Sequence, residues 1–238
     1  MAINRLLIIF THIPKCAGTS LRESLIKNNI NNSLIYRPEK GIRGIIGYKQ
    51  DFAYMVGHWP YGTENLISPF NPARHRKKIY ITILREPLDH MISFFYFQKQ
   101  LGRKSLFKKK IDEYDIVSFY QNNPAACNLQ TKFTAGLFLE RFCRYTIFQR
   151  GSYLQLLSAK KNLIHNYPYV CQFEKLDIDL KNIALDLNLD FCSVYDQTTK
   201  TRNRPASDKI DQDIIDQLMQ YNRLDFQLYK YAQNNIWK

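Results

Sequence analysis

The chain has 238 residues, of which 45% are hydrophobic and 14% aromatic, and this composition is typical of a folded globular protein rather than of a disordered chain. The length is sufficient for one α/β domain with a sizeable core, and we expect residues 1–238 to form a single domain. The formal net charge of +13 and the isoelectric point near 9.5 indicate an anionic partner. Charge alone does not choose among nucleic acid, an acidic membrane surface, a nucleotide and an acidic glycan.

The sequence lacks the patterns expected of a membrane-spanning or secreted protein. Its longest apolar runs fall well short of the roughly 18 residues that a transmembrane helix needs. The first apolar run begins within a few residues of Met1, which leaves no room for a signal peptide. We therefore expect a soluble, cytoplasmic protein. The five cysteines include no C-x-x-C pair, so we expect reduced packing residues rather than a metal site.

The first predicted unit is a strand, a loop and a helix. Leu6–Phe10 is apolar enough for a buried parallel strand, Thr11–Thr19 is a compact polar loop, and Ser20–Lys27 is compatible with a helix. This order directs backbone N–H groups and the positive end of a helix at one point, which predicts an anion site. Lys15 adds a mobile positive charge, and Gly18 allows the backbone to approach a ligand closely. The alternative is an ordinary strand-to-helix turn with an exposed lysine.

The order of residues in this loop distinguishes between two kinds of phosphate loop. A Walker A loop ends in Gly-Lys-Ser/Thr, whereas Lys15 here precedes Gly18 and the loop is shorter. The run PKCAGTS from residue 14 to residue 20 instead resembles the 5′-phosphosulfate loop of sulfotransferases, which use 3′-phosphoadenosine-5′-phosphosulfate (PAPS) as donor. The resemblance implies that Lys15 faces the oxygen that bridges phosphate and sulfate. It also implies that the donor's 5′-phosphate is bound by Ala17, Gly18, Thr19 and Ser20.

A histidine follows the second predicted buried strand, Phe52–Val56. His58 stands just past the strand end, where α/β sheets hold their ligands, and an imidazole with an ordinary pKa of about 6.5 suits a general base. A structural role for this histidine is the alternative. The pair Gly57-His58, placed between two phosphate motifs, resembles the glycan 2-O-sulfotransferase group and implies that His58 is the base. That group has a second histidine where Val56 stands here, so the resemblance does not extend to a two-histidine mechanism.

The second phosphate motif follows the predicted strand Lys77–Leu84, whose β-branched and apolar residues are typical of a strand. Pro87 suits the first turn of a helix, and we predict a helix over Leu88–Gln100. Arg85 leaves the strand end and Ser93 lies about two turns into the helix. An arginine at a strand end with a serine eight residues later resembles the 3′-phosphate motif of sulfotransferases. Without that resemblance, an ion-pair arginine and a helix-surface serine are the alternatives.

Two further polar stretches are candidates for contact with an acceptor. The basic run at residues 102–110 is either a solvated face or one wall of a cleft for an acidic acceptor. Asn128, Gln130 and Lys132 resemble an N-x-Q-x-basic stretch of bacterial-type sulfotransferases, which implies an acceptor site. The alternative for these three residues is a polar helix face.

A basic, hydroxyl-rich loop is predicted at Thr198–Pro205. In the family that the motifs resemble, a loop at this position closes over the nucleotide and its 3′-phosphate. Of the cations that this loop offers, Lys200 and Arg202 are favoured for donor binding over Arg204. A disordered basic loop is the alternative.

Strands and helices alternate along most of the chain, which predicts an α/β fold with a central parallel β-sheet flanked by helices on both faces. The resemblance implies the P-loop-containing sulfotransferase fold. The remaining predicted elements are a short strand at Ile45–Tyr48, a strand at Tyr169–Phe173, and helices at Asp115–Gln121, Ser152–Asn166, Leu176–Leu187, Asp208–Met219 and Leu224–Ala232.

These motifs together predict a PAPS-dependent sulfotransferase that acts on a hydroxyl of a carbohydrate or glycolipid acceptor and releases 3′,5′-adenosine bisphosphate (PAP). No metal and no nucleic-acid partner are expected. Contact with a membrane surface, the identity of the acceptor and the oligomeric state stay open. The alternatives are a P-loop kinase, which the missing Gly-Lys-Ser/Thr disfavours, and a non-enzymatic polyanion-binding module, which has only the charge in its favour.

Overall fold

A computed structural model of the chain describes residues 6–19, 21, 35–36, 41–46, 48–102, 111, 113–144, 146, 148–188, 201 and 203–237. A five-stranded sheet lies at its centre, with the strand order β2-β3-β1-β4-β5 and every neighbouring pair parallel. The strands are β1 (Leu6–Thr11), β2 (Ile35–Tyr36), β3 (Tyr54–Gly57), β4 (Lys77–Leu84) and β5 (Tyr169–Gln172). The sheet is flanked by helices, and the predicted fold class is confirmed.

Within the described residues, one α-helix lies between β2 and β3, five lie between β4 and β5, and three follow β5. They are α1 (Gly41–Ile46), α2 (Pro87–Leu101), α3 (Ile116–Asn122), α4 (Leu129–Ala135), α5 (Leu137–Arg144), α6 (Tyr153–His165), α7 (Leu176–Leu187), α8 (Gln212–Tyr221) and α9 (Arg223–Asn235). Helix α4 packs against α5, α6 and α9, and α2 packs against α3, α8 and α9.

Strand β1 is the centre of the core because it has neighbours on both sides and residues 7–11 are buried. A buried parallel strand needs apolar side chains on both faces, which explains its continuous run of Leu, Ile and Phe. Burying one such side chain stabilises a fold by about 1.5–3 kcal/mol.

The register of the sheet determines which residues leave it together. Thr11 pairs with Gly57 of β3 and with Thr82 of β4, so these three strands reach the same edge at nearly the same level. The residues that follow them, including His58 and Arg85, therefore emerge at one edge of the sheet, where parallel sheets carry their sites.

The predicted short strand at Ile45–Tyr48 is wrong, because residues 41–46 form helix α1. An apolar run of this length has no periodicity that separates a strand from a helix. The structure instead has a two-residue strand, β2, in a stretch that the sequence analysis left without a strand. Of the predicted first helix, only Leu21 lies within the described residues, but Gly18 and Thr19 are also helical, so this helix begins earlier than predicted.

Candidate functional site

The candidate site is built around the loop after β1. Three of its backbone carbonyls accept hydrogen bonds from basic side chains of other segments. The His58 imidazole donates through Nδ1 to the carbonyl of His12 at 2.9 Å, since a carbonyl oxygen only accepts. His90 Nε2 donates to Pro14 O and Arg85 Nη1 donates to Lys15 O, each at 2.8 Å. Side chains that follow β3 and β4, together with one from α2, therefore fix the loop through its carbonyl groups.

The backbone of this loop has two left-handed residues that are not glycine. Lys15 has φ of 67° and Ala17 has φ of 57°. Left-handed residues within a turn make consecutive N–H groups converge into a concavity that binds anions. A backbone hydrogen bond from Leu21 N to Ala17 O places Gly18 and Thr19 in the first turn of the helix that follows, where N–H groups have no partner within the helix and can bind an anion. The loop can thus hold an anion on the side opposite the bound carbonyls.

Gly18 has a structural role in addition to the one that the sequence predicts. Its φ lies outside the left-handed region, and a Cβ at this position would lie 1.9 Å from Cδ2 of the His12 ring. The missing side chain therefore makes room for His12, and the close approach of the backbone to a ligand stays a prediction. The left-handed conformation falls on Ala17 instead, where an alanine costs about 1–2 kcal/mol.

Lys15 lies in a strongly positive environment. Burial, followed by the nearby charges of Arg85 and Arg204, lowers the pKa of Lys15 to about 8. Its Nζ atom lies 4.2 Å from the centre of the Phe97 ring, which favours the charged form through a cation–π contact. An anion bound at this place would restore the ammonium charge.

Asp89 bridges two arginines at the start of α2. Its carboxylate accepts from Arg85 Nε at 2.7 Å and forms an ion pair with Nη2 of Arg204 at 2.7 Å. Arg85 is only 6% exposed, and its guanidinium also lies over the ring of Phe173, 4.1 Å from the ring centre. Arg204 thereby brings residues of the basic loop to the same place as Arg85 and Lys15.

The structure brings some of the predicted donor contacts together and leaves others undescribed. Ser93 is buried, and its hydroxyl lies 3.5 Å from the hydroxyl of Thr201, so this residue of the basic loop lies beside α2. The predicted contacts Ser20, Lys200 and Arg202 lie outside the described residues.

A second histidine lies beside His58, although the sequence analysis did not find it. The rings of His12 and His58 are 4.2 Å apart at an angle of 34°, and the His12 ring also stacks on Phe10 at 5.7 Å. In the glycan 2-O-sulfotransferase group the second histidine precedes the first by two residues, at the position of Val56 here. His12 instead follows the neighbouring strand β1. The signal was present in the sequence, since His12 directly follows a buried strand, as a ligand-binding residue at a sheet edge does.

Gln130 holds the main chain of Arg85 at two points. Its Oε1 accepts from Arg85 N and its Nε2 donates to Arg85 O, both at 2.9 Å. The buried carboxylate of Asp225 in α9 in turn accepts from the backbone of Gln130 at 3.1 Å and from the backbone and hydroxyl of Thr131 at 2.7 Å. Burial raises the pKa of Asp225 to about 6, while these hydrogen bonds act in the opposite direction. Helix α9 thus supports the residue that ties down the loop.

The prediction that Asn128, Gln130 and Lys132 line an acceptor site is wrong, because all three are buried and bound to the protein itself. Asn128 accepts from the backbone of Leu224 and Asp225 and donates to two carbonyls, and Lys132 Nζ donates to the carbonyl of Pro124 at 3.0 Å. These side chains connect different segments of the fold through hydrogen bonds to their backbones. The spacing of polar residues in the sequence does not reveal such a role.

Comparison with known proteins gives one positive result. A family model described as "sulfotransferase family" matches residues 3–232. No curated protein matches the chain. Within the part of the chain that the structure describes, no helix is long and apolar enough to cross a membrane, and no cluster of three or more His, Cys, Asp or Glu residues is arranged to hold a metal ion.

We expect Gly18→Ala and Ala17→Gly to have different effects, although they change neighbouring residues. Gly18→Ala should lower the free energy of unfolding by about 1–3 kcal/mol, because the new Cβ forces the His12 ring to move. Ala17→Gly should change it by less than about 1 kcal/mol, because glycine accepts the left-handed conformation without strain. Urea unfolding measures both values. Equal losses in the two variants would contradict this account of the loop.

We expect Gln130→Ala to lower the free energy of unfolding by about 1–3 kcal/mol, because it leaves the buried N–H and C=O groups of Arg85 without their partners. The matched control is Gln233→Ala, which changes an exposed glutamine of α9 and should have little effect. An unfolding free energy that Gln130→Ala leaves at the wild-type value would contradict the structural role of Gln130.

Proposed function

The chain belongs to the sulfotransferase family, and we propose that it transfers a sulfuryl group from PAPS to a hydroxyl of a carbohydrate-type acceptor. The observation that carries the proposal is the anion loop of Lys15 and Ala17, tied through the Lys15 carbonyl to the buried cation Arg85. The match over residues 3–232 supports the view that these residues form a single catalytic domain.

In this proposal the donor's phosphosulfate lies in the loop after β1. The N–H groups of Ala17, Gly18 and Thr19 bind the 5′-phosphate, with Ser20 as a further expected contact. Lys15 faces the oxygen that bridges phosphate and sulfate. Burial and, after it, the charges of Arg85 and Arg204 lower the pKa of Lys15, and an anionic ligand would offset both effects, which supports the assignment.

The 3′-phosphate of the donor is assigned to the cations at the start of α2. Arg85 directs its Nε and Nη2 atoms to the Asp89 carboxylate and its Nη1 atom to the Lys15 carbonyl. A guanidinium has five N–H groups, so two of them are left for a phosphate oxygen. Ser93 adds a hydroxyl, and the basic loop adds cations, with Lys200 and Arg202 expected to contact the donor. The ion pair between Arg204 and Asp89 supports an approach of this loop to the 3′-phosphate.

The reaction follows from the positions of the charged groups. The acceptor oxygen forms a bond to sulfur while the bond from sulfur to the bridging oxygen breaks, and PAP leaves with the electron pair of that bond. Lys15 stabilises the negative charge that develops on the leaving phosphate. His58 takes the proton of the acceptor hydroxyl. No metal is needed for these steps.

The surroundings of His58 favour its role as the base. Its Nδ1–H is directed to the His12 carbonyl, so in the neutral imidazole the lone pair is on Nε2. His58 is exposed and therefore open to an acceptor. The His12 ring, held between Phe10, Gly18 and His58, fixes the plane of the His58 imidazole. The carbohydrate nature of the acceptor rests on the likeness of Gly57-His58 to the glycan 2-O-sulfotransferase group.

Binding and turnover should separate in three alanine variants. We expect Lys15→Ala and Arg85→Ala each to weaken PAP binding about tenfold or more, because each removes a charged contact to phosphate. His58→Ala should keep PAP affinity and lose turnover by about 100-fold or more, because only the base is removed. Calorimetry with PAP measures affinity, and transfer of radiolabelled sulfate from PAPS to a panel of bacterial and animal glycans measures turnover.

The control for this series is Lys49→Ala, which removes an exposed lysine outside the loop and should leave PAP affinity unchanged. No binding of PAP at submillimolar concentration would overturn the proposal. A preference for ATP with Mg²⁺ over PAP would favour a kinase. Near-normal turnover of His58→Ala would refute the assignment of the base alone.

Donor affinity should depend on pH through Lys15. The free protein loses the Lys15 charge as the pH rises through about 8, whereas a bound anion raises the pKa of this lysine and keeps it charged. We therefore expect PAP to bind about tenfold more weakly at pH 9 than at pH 7, with proton uptake on binding. Lys15→Arg should remove this pH dependence, because arginine stays charged throughout the range. Calorimetry in two buffers of different ionisation enthalpy measures both effects, and an equal slope in Lys15→Arg would contradict the assignment.

A further inference from the structure

Exposed apolar side chains are concentrated in one part of the surface. Seven of the twelve large apolar residues that are exposed in the described part of the chain fall between residues 138 and 164. Five of them lie on two helices, and we call these five residues the α5–α6 face: Phe138 and Phe142 on α5, and Tyr153, Leu154 and Leu157 on α6. This is more apolar surface than isolated exposed residues explain, and such surfaces mark binding sites.

The two helices that carry this face are neighbours. Both pack against α4, and the buried side chain of Gln155 reaches from α6 to the backbone carbonyl of Leu139 in α5 at 3.4 Å. Phe138 and Phe142 are one turn apart and so share one side of α5. They are 81% and 55% exposed, and Leu154 is 66% exposed. The packing of α4, α5 and α6 therefore leaves these side chains in solvent.

The charged residues of α5, α6 and the segment between them are almost all positive. Between residues 137 and 165 the only acidic residue is Glu140, and it is buried. The basic residues of the same stretch are Arg141, Arg144, Arg150, Lys160 and Lys161. Of the described side chains among them, Arg141 and Lys161 are exposed. Exposed aromatic and aliphatic side chains together with cations and without an exposed acid are typical of elements that lie on anionic membranes.

We propose that the α5–α6 face docks on an anionic lipid bilayer, with the apolar side chains entering the headgroup region and the cations contacting lipid phosphates. Two copies of this chain would instead bring like charges together in a two-fold interface, which makes a dimer through this face unfavourable. The helix α5 begins next to the turn that carries His58, since Leu137 N donates to Tyr61 O at 2.8 Å. Docking in this way places the membrane near that turn.

The test uses the full chain and vesicles of phosphatidylcholine with or without phosphatidylglycerol. We expect cosedimentation with the anionic vesicles, weakened by salt, and little with the neutral ones. Phe138→Ser together with Phe142→Ser should reduce binding to anionic vesicles about tenfold or more. Phe70→Ser is the matched control, because Phe70 is 96% exposed but lies outside the face, and it should bind as the wild type does.

A second variant reports insertion directly. Leu154→Trp should add a tryptophan emission component that shifts to shorter wavelength with anionic vesicles, after subtraction of the wild-type signal. No binding to anionic vesicles, equal binding by the double serine variant, or a dimer in ultracentrifugation that this variant abolishes would overturn the proposal. The experiment needs no donor, so its result is independent of PAP binding and of the proposed reaction.

Discussion

The site depends on the attachment of the β1 loop by its carbonyl groups. His58, His90 and Arg85 each donate a hydrogen bond to one carbonyl of the loop, and each comes from a different segment. A hydrogen bond from a charged group contributes about 1.5–3 kcal/mol and a neutral one about 0.5–1.5 kcal/mol. The two left-handed residues cost about 1–2 kcal/mol each, so the attachments are sufficient to hold the loop in this shape. The N–H groups are thereby oriented before a ligand arrives.

The same attachments bring the cations together, which has an electrostatic cost. Lys15, Arg85 and Arg204 repel one another, and the lowered pKa of Lys15 expresses this repulsion together with burial. Asp89 offsets part of the cost by pairing with both arginines. Because Asp89 neutralises only part of this positive charge, an anionic ligand stabilises the site further. In the proposed function, phosphate groups at both ends of the donor nucleotide supply that charge.

The sequence was informative where a residue's role follows from its place in a short motif. Lys15 and Arg85 follow buried strands, and the loop was recognisable from the order of its residues. The relation of His12 to His58 depends on the adjacency of β1 and β3, which a linear pattern does not contain. Gln130 and Arg85 form their hydrogen bonds across 45 positions of the chain. Contacts over such a distance are not visible in a short motif, and therefore a stretch that resembled a ligand-binding motif instead connects helices within the fold. The left-handed Ala17 could not be predicted, since the neighbouring glycine is the usual residue for that conformation.

The support of Arg85 by α9 has a consequence for how the protein is made. Asp225 orders Gln130 from 95 positions further along the chain, and Gln130 fixes the main chain of Arg85. The β1 loop leaves the ribosome about 200 residues before α9, which completes its scaffold. A nascent chain that ends before α9 therefore carries every residue of the β1 loop, but it lacks the carboxylate that orders Gln130. We expect the main chain of Arg85 to become fully ordered only after α9 has been translated.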